Sequence, residues 1–255
     1  MSYHRFMVSE TETARRRRRG AVGPADDVTV RTALVETAER QLAGSADGDI
    51  ATRAVCEEVG VTQPVLYRLF GDKRGLLDAV ADAGFDRYAR RKQALEVTDD
   101  PVADLHVGWA DHMSFADRNP ALYQLMFAPR PQAASTAHRR ILELLEATLV
   151  RCAAAGALRT TPRQAAQLIL SANVGVALGR IAQPALYDDP ALSERARDAV
   201  FAAVLTDADT RPGPDPVGAA ARQLRYRLSL SGTENLEPAE TALLDRWLER
   251  LDQPG

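Results

Sequence analysis

Proline and glycine divide this chain into a succession of short and medium segments, and nearly every segment between the breaks carries helical periodicity. Alanine and leucine dominate the apolar residues, and runs of β-branched residues are scarce. Small and straight-chain side chains lose little rotamer freedom in a helix, so the bias favours helix over strand. The expectation is an all-α chain. With 255 residues, 45% of them hydrophobic, it can bury a sizeable core.

Apolar spacing begins near Val30, with Leu34, Ala38 and Leu42 on one face and Gly44 and Gly48 closing the helix. A short helix over Thr52–Val59 follows. After the turn Gly60-Val61 comes a second short one, capped by Thr62 and ending near Phe70. Two short helices joined by a tight glycine turn make a helix-turn-helix, in which the first helix braces the second against the major groove. Val55, Val59, Val61, Leu66 and Phe70 can form its inner seam, leaving Gln63, Val65, Arg68 and Leu69 outward. Pro64 lies early enough in its helix to lose no hydrogen bond.

Asp72 caps a long fourth helix to about Leu95. Helices are then expected over 101–118, 120–127, 133–155, 161–182 and 191–205. The proline-rich stretch 210–216 reads as a linker, followed by an amphipathic pair over 217–228 and 238–251. That pair should dock, either as a lid over a pocket or as an extension of a dimer. The organisation expected is a disordered basic arm over 1–28, a helix-turn-helix head over 29–75, a helical body over 76–206, and a linker with the helical pair over 207–255.

Charge supports a DNA-facing front. The net charge is −3, which excludes a uniformly basic binder, but the first 95 residues are mildly basic and the remainder is acidic. The arginine run over 15–19 could follow a groove or the phosphates, or be a solvated tail. Cys56 and Cys152 sit inside helical patterns and read as buried, reduced thiols of a cytoplasmic protein. No run of about 18 apolar residues stands out, so no membrane span is expected. Neither a catalytic cluster nor a phosphate-cradling glycine loop nor metal-ligand spacing appears, so no enzyme, cofactor or metal is expected.

The stretch VCEEVGVTQPVLYRLFGDKRGLLDAV over 55–80 resembles the TetR family of bacterial transcriptional regulators. The carrying pattern is Gly60-Val61-Thr62-Gln63-Pro64-x-Leu66-Tyr67-x-x-Phe70-x-x-Lys73-x-x-Leu76-Leu77. The similarity is close over 29–82 and continues to about 206 in helix order and in AGALRTTPRQAAQLILSANVGVALGRI over 155–181; the last 45 or so residues exceed the family's usual length. The resemblance implies a homodimer that binds double-stranded DNA through the three-helix DNA-binding head over 29–75, with 76–206 as the ligand-binding and dimerisation domain for a small-molecule effector. Tyr67 and Lys73 would hold phosphates, and Thr62 would cap the reading helix. Gln63, Pro64, Val65 and Arg68 would face bases, with Arg53 alongside on the bracing helix. It further implies a repressor released from a palindromic operator by an apolar effector. A ligand-independent DNA-binding or adaptor protein on the same fold is the alternative.

A pocket is expected around Trp109, His112, Phe115, Tyr123, Met126 and Phe127, where large aromatics carry a few polar tips. The small residues Ala172, Gly175, Gly179, Ala199 and Ala203 are expected at the dimer interface, where helices must approach closely.

Overall fold

A computed structural model describes residues 24–252 except 46–47, 129–135 and 207–214. The arginine run and most of the expected N-terminal arm therefore lie outside the described residues. Among those described are eleven helices: α1 Pro24–Ala43, α2 Thr52–Val59, α3 Gln63–Phe70, α4 Lys73–Gln93, α5 Pro101–Arg118, α6 Pro120–Phe127, α7 Thr136–Ala154, α8 Pro162–Ala182, α9 Leu192–Val204, α10 Pro216–Ser231 and α11 Pro238–Leu251. The only extended pairing among them is one antiparallel bridge, Leu158 with Leu205. The fold is all-α, as the sequence predicts.

The prolines act as starts. Pro24, Pro101, Pro120, Pro162, Pro216 and Pro238 each open a helix, where a missing N–H costs nothing. Side chains reinforce several of these starts. Asp100 accepts from the amides of Val102 and Ala103, Thr161 forms a reciprocal capping box with Gln164, and Asp215 accepts from Gly218 N at 2.8 Å. One boundary differs from the sequence reading: α1 begins at Pro24, so residues 24–28 are helical rather than part of an arm. Asp26 and Asp27 in its first turn favour the positive end of the helix dipole.

The chain divides into two compact units between Ala83 and Gly84, inside α4. In the first unit, Leu34, Val35, Ala38 and Leu42 of α1 are buried, together with Ile50, Val55, Cys56, Leu66, Leu76 and Val80. Arg31 ties α1 to the end of α3, donating to the Leu69 carbonyl and lying 4.4 Å over the Phe70 ring. Gly60 ends α2 in the left-handed region at φ 79°, which favours glycine.

In the second unit, α7 packs on α8, α8 on α9, and α5 on both α7 and α8. The C-terminal pair docks through α10, which packs along α7 and carries α11. Arg227 donates to the Ala154 carbonyl at the end of α7 (2.8 Å), and Arg222 binds Asp252 (2.6 Å). Leu224, Leu243, Trp247 and Leu251 of the pair remain exposed. By length and composition alone, α8 is apolar enough to cross a membrane. Only 28% of its most apolar window is buried.

Gly75 allows α4 to start tightly against the end of α3. A Cβ there would stand 2.0 Å from the Phe70 carbonyl oxygen. Gly75→Ala must therefore shift backbone in the head. We expect a loss of about 1–3 kcal/mol, read as a lowered urea midpoint that isolates to amides of residues 24–83 in hydrogen exchange.

Candidate functional site

Two arrangements stand out, one in each unit. In the first unit, α3 turns Gln63, Pro64, Tyr67 and Arg68 to solvent, and Tyr67 is 43% exposed. Val65 is half-buried, so less of it is available than the sequence suggests. Leu66 is buried and locks the helix from behind. Thr62 is the N-cap residue by backbone geometry, but its hydroxyl makes no capping bond. The expected side-chain cap is thus absent, and the hydroxyl is exposed without that task. Asp72 does cap α4, accepting from Gly75 N at 2.7 Å.

Each cation expected at this surface already holds a carboxylate. Arg68 forks onto Asp27 of α1 through both terminal nitrogens, at 2.7 and 2.8 Å. Lys73 reaches Asp49 at 2.6 Å, and Arg53 meets Glu57 one turn on at 2.8 Å. The hydrogen bonds to Arg68 and to Lys73 draw the Asp27 and Asp49 carboxyls below the usual carboxylate range. Sequence reasoning missed all three acids, because spacing along one helix reveals only Arg53–Glu57. Exposed pairs of this kind are weak and screened by salt. A phosphate or a guanine edge can take the place of each carboxylate.

In the second unit a cavity of about 360 Å³ opens among α4, α5, α7 and α8 and the segment after α4. Its apolar wall includes Leu95, Leu105, Trp109, Ile141, Leu145 and Ile169, and its polar groups include Lys92, Asp104, His112, Arg151 and Asn173. Trp109 and His112 therefore lie where the sequence reading puts a pocket. Phe115, Tyr123, Met126 and Phe127 do not line it. They are buried in packed core, Tyr123 stacking on Phe127 at 4.5 Å and Phe115 meeting Tyr88 edge-on at 4.9 Å. Ring-to-ring packing stabilises these side chains without a ligand. Sequence reasoning missed Lys92 and Asn173. Asn173, set among Leu168 to Leu170 and Val174 to Ala177, offered a polar residue in an apolar stretch, whereas Lys92 is one of a run of charged residues and offered no such signal.

His112 links the core to the cavity. Tyr88 Oη lies 2.6 Å from its Nδ1, and Tyr123 Oη lies 2.6 Å from its Nε2. Burial pulls His112 down to about 3 and pushes both phenols up. The ring is neutral, with one nitrogen donating and the other accepting. Beside it, Lys92 donates to the Gly108 carbonyl at 2.6 Å and stands 2.9 Å from Asp111 Oδ2, and Arg91 reaches Asp111 Oδ1 at 2.6 Å. Burial lowers the Lys92 pKa, and the Asp111 partnership opposes that shift.

The remaining small residues sort by face. Gly175, Ala199 and Ala203 are exposed, as are Leu168 and Ala202 nearby, while Ala172 and Gly179 are half-buried. Gly179 has an internal reason to be small: a Cβ there would stand 3.0 Å from the Tyr187 ring. At Gly175 a Cβ would meet open space. Cys56 and Cys152 are both buried and unbridged, and burial raises both thiols, Cys152 to about 12. Among the described residues no group of three or more His, Cys, Asp or Glu could hold a metal ion.

A helix-turn-helix unit with an outward reading helix, and a helical unit enclosing a cavity, define a DNA-binding regulator of transcription. The sequence profiles agree. Residues 34–80 match "Bacterial regulatory proteins, tetR family", and residues 105–240 match "Tetracyclin repressor-like, C-terminal domain". The chain belongs to the TetR family, whose members are DNA-binding regulators rather than enzymes. The second match ends at residue 240, so it takes in α10 and only the first residues of α11.

Solved structures share the fold. A protein of unknown function from Rhodococcus sp. RHA1 is 23% identical, with a TM-score of 0.58 over 69% of this chain and 96% of its own. SmeT, the repressor of the Stenotrophomonas maltophilia multidrug efflux pump SmeDEF, is 22% identical, with a TM-score of 0.53 over 72% of this chain and 94% of its own. SmeT in complex with triclosan gives 22% and 0.52, over 72% and 96%. No curated protein matches the sequence.

The neutral, buried His112 sets a pH dependence. Its folded pKa is lowered from 6.5 to about 3, so the unfolded chain binds the proton first. Stability from this group is intact above pH 6.5 and falls as pH drops toward 3, by about 5 kcal/mol at the limit. His112→Gln keeps a polar side chain without titrating there. Its urea midpoint should fall less between pH 7 and pH 4 than that of the wild type; parallel curves would assign the acid sensitivity to other groups.

Proposed function

We propose that the protein is a homodimeric repressor that leaves a palindromic operator when a small, largely apolar effector enters the cavity. The observation that carries this reading is the cavity itself, a preformed and mostly apolar space inside a TetR-family body. Trp109, on its wall, donates its indole N–H to Ser193 of α9 at 3.0 Å. An occupant that displaces Trp109 would pull on α9. An effector acts by binding one conformation better than the other, and here the disfavoured state is the one whose two reading helices match successive major-groove segments. SmeT, a repressor also solved with triclosan, supports the reading by similarity of fold.

The dimer is expected through the outward faces of α8 and α9, where Leu168, Gly175, Ala199, Ala202 and Ala203 leave an apolar, small-residue surface uncovered. Such a surface accounts for the apolar composition of α8. Gly175→Arg places a long cation on this face without meeting any neighbour inside the subunit. Sedimentation should then show monomers with unchanged helicity. Gly179→Arg is a poorer probe, because it also strikes Tyr187.

On DNA, Tyr67 and Lys73 would hold phosphates while Gln63 and Arg68 read base edges, Arg68 exchanging Asp27 for a guanine. The test is binding to an operator selected from random sequence, with half-sites about 34 Å apart, and to its single-base variants. Gln63→Ala should cost about 1–3 kcal/mol on the operator and little on random DNA. Tyr67→Phe and Lys73→Ala should weaken all sequences alike, and Lys73→Ala should also reduce the slope of log affinity against log salt by about 0.9. Retention of full affinity by all three variants would overturn the DNA-reading assignment.

A further inference from the structure

Most polar groups on the cavity wall are already committed. Tyr88 and His112 bond each other, and His112 also bonds Tyr123. Trp109 spends its N–H on Ser193. Asp104 and Arg151 pair at 2.6 Å, and Arg151 also donates to the Thr98 carbonyl. Lys92 is held by Gly108 and Asp111. Glu96 is exposed.

Among the described residues, two buried side-chain oxygens accept no hydrogen bond, Asp111 Oδ2 and Asn173 Oδ1. The first faces the Lys92 ammonium at 2.9 Å, so its charge is compensated. The second has no such compensation. Asn173 is 4% exposed, lies on α8 and forms part of the cavity wall beside Ile169 and Leu170. A buried carbonyl without a donor has lost the hydrogen bond it made in water, and a ligand that brings a donor restores it. An ionised ligand meets the opposite situation. The lining cations Lys92 and Arg151 already carry carboxylates, so a buried anion would have to break a pair, and a buried cation would find Asp104 already bound to Arg151 and Glu96 out at the solvent-exposed rim.

We propose that the cavity takes a neutral, predominantly apolar molecule bearing one hydroxyl or N–H donor, and that Asn173 Oδ1 accepts from that donor. Asn173 is then the residue that sets ligand class. This rests on the reading of the cavity as the effector site and adds to it the chemistry that the effector must have.

The probes are 4-hydroxybiphenyl, 4-methoxybiphenyl and biphenyl-4-carboxylate, titrated calorimetrically into the full chain at neutral pH. The hydroxyl compound should bind about tenfold tighter than its methyl ether, the scale of one net hydrogen bond, and the carboxylate should bind weakest. Asn173→Leu removes the acceptor and should bring the hydroxyl and ether compounds to within about twofold of each other. Asn173→Ala should do the same, which separates loss of the acceptor from filling of the cavity by leucine. Asn173→Leu should also melt at or above the wild-type temperature, because an unpaired polar group has been removed.

A hydroxyl preference that survives in both variants overturns the proposal. So does tightest binding by the carboxylate, or failure of all three probes to bind the wild type. Operator release is read separately. Asn173-dependent binding of 4-hydroxybiphenyl without release of DNA upholds this inference and overturns the repressor reading.

Discussion

The cavity-bearing unit depends on one buried, uncharged imidazole held between two phenols. His112 shares its two nitrogens with Tyr88 and Tyr123, each at 2.6 Å, so three polar groups enter the core without leaving an orphan. Because the chain of bonds is closed, the surrounding rings can pack densely. Phe127 lies tilted to the imidazole at 5.5 Å, Phe115 meets Tyr88 edge-on at 4.9 Å, and Phe85 in turn meets Phe127 edge-on at 5.2 Å. That dense side forms one flank of α5. The opposite demands, space and an unfilled acceptor, appear where α5 faces α7 and α8. The cavity exists next to a region that needs nothing further.

The sequence makes the helices and the helix-turn-helix legible because their causes are local. Pro101, Pro120, Pro162 and Pro238 announce helix starts within one residue of where they occur, and Gly60 announces the turn. The start of α1 escaped because Gly23 and Pro24 read as the end of an arm, whereas proline is compatible with a first helical turn and Asp26 and Asp27 suit it. The pocket was only half legible. Aromatic content predicts where apolar area gathers, but not whether it faces a neighbour or a void. Phe115, Tyr123, Met126 and Phe127 found neighbours; Trp109 and His112 reached the void. Asn173 and Lys92 drew no notice, because the significance of Lys92 lies in Gly108 and Asp111 on another helix and that of Asn173 in a buried oxygen left without a donor.

The head shows the same limit. Residue types at the reading surface follow from the pattern over 60–77, but their electrostatic state does not. Asp27, Asp49 and Glu57 balance Arg68, Lys73 and Arg53, so the surface that would meet DNA carries less free positive charge than its arginines and lysine suggest. If this surface meets DNA as proposed, these pairs would moderate its attraction to DNA of any sequence. Under the proposed reading, discrimination would rest on the base-facing Gln63 and Arg68 rather than on bulk charge.

The two tryptophans occupy opposite environments. Trp109 is 3% exposed, lies on the cavity wall and is tethered to Ser193, while Trp247 on α11 is 54% exposed. The chain thereby contains two optical reporters with separable signals. From these exposures, emission from Trp109 should be blue-shifted and shielded from aqueous quenchers, and emission from Trp247 red-shifted and open to iodide. Occupation of the cavity would alter the first component alone, and coverage of the C-terminal pair would alter the second. Both events can be followed by intrinsic fluorescence in the unlabelled protein.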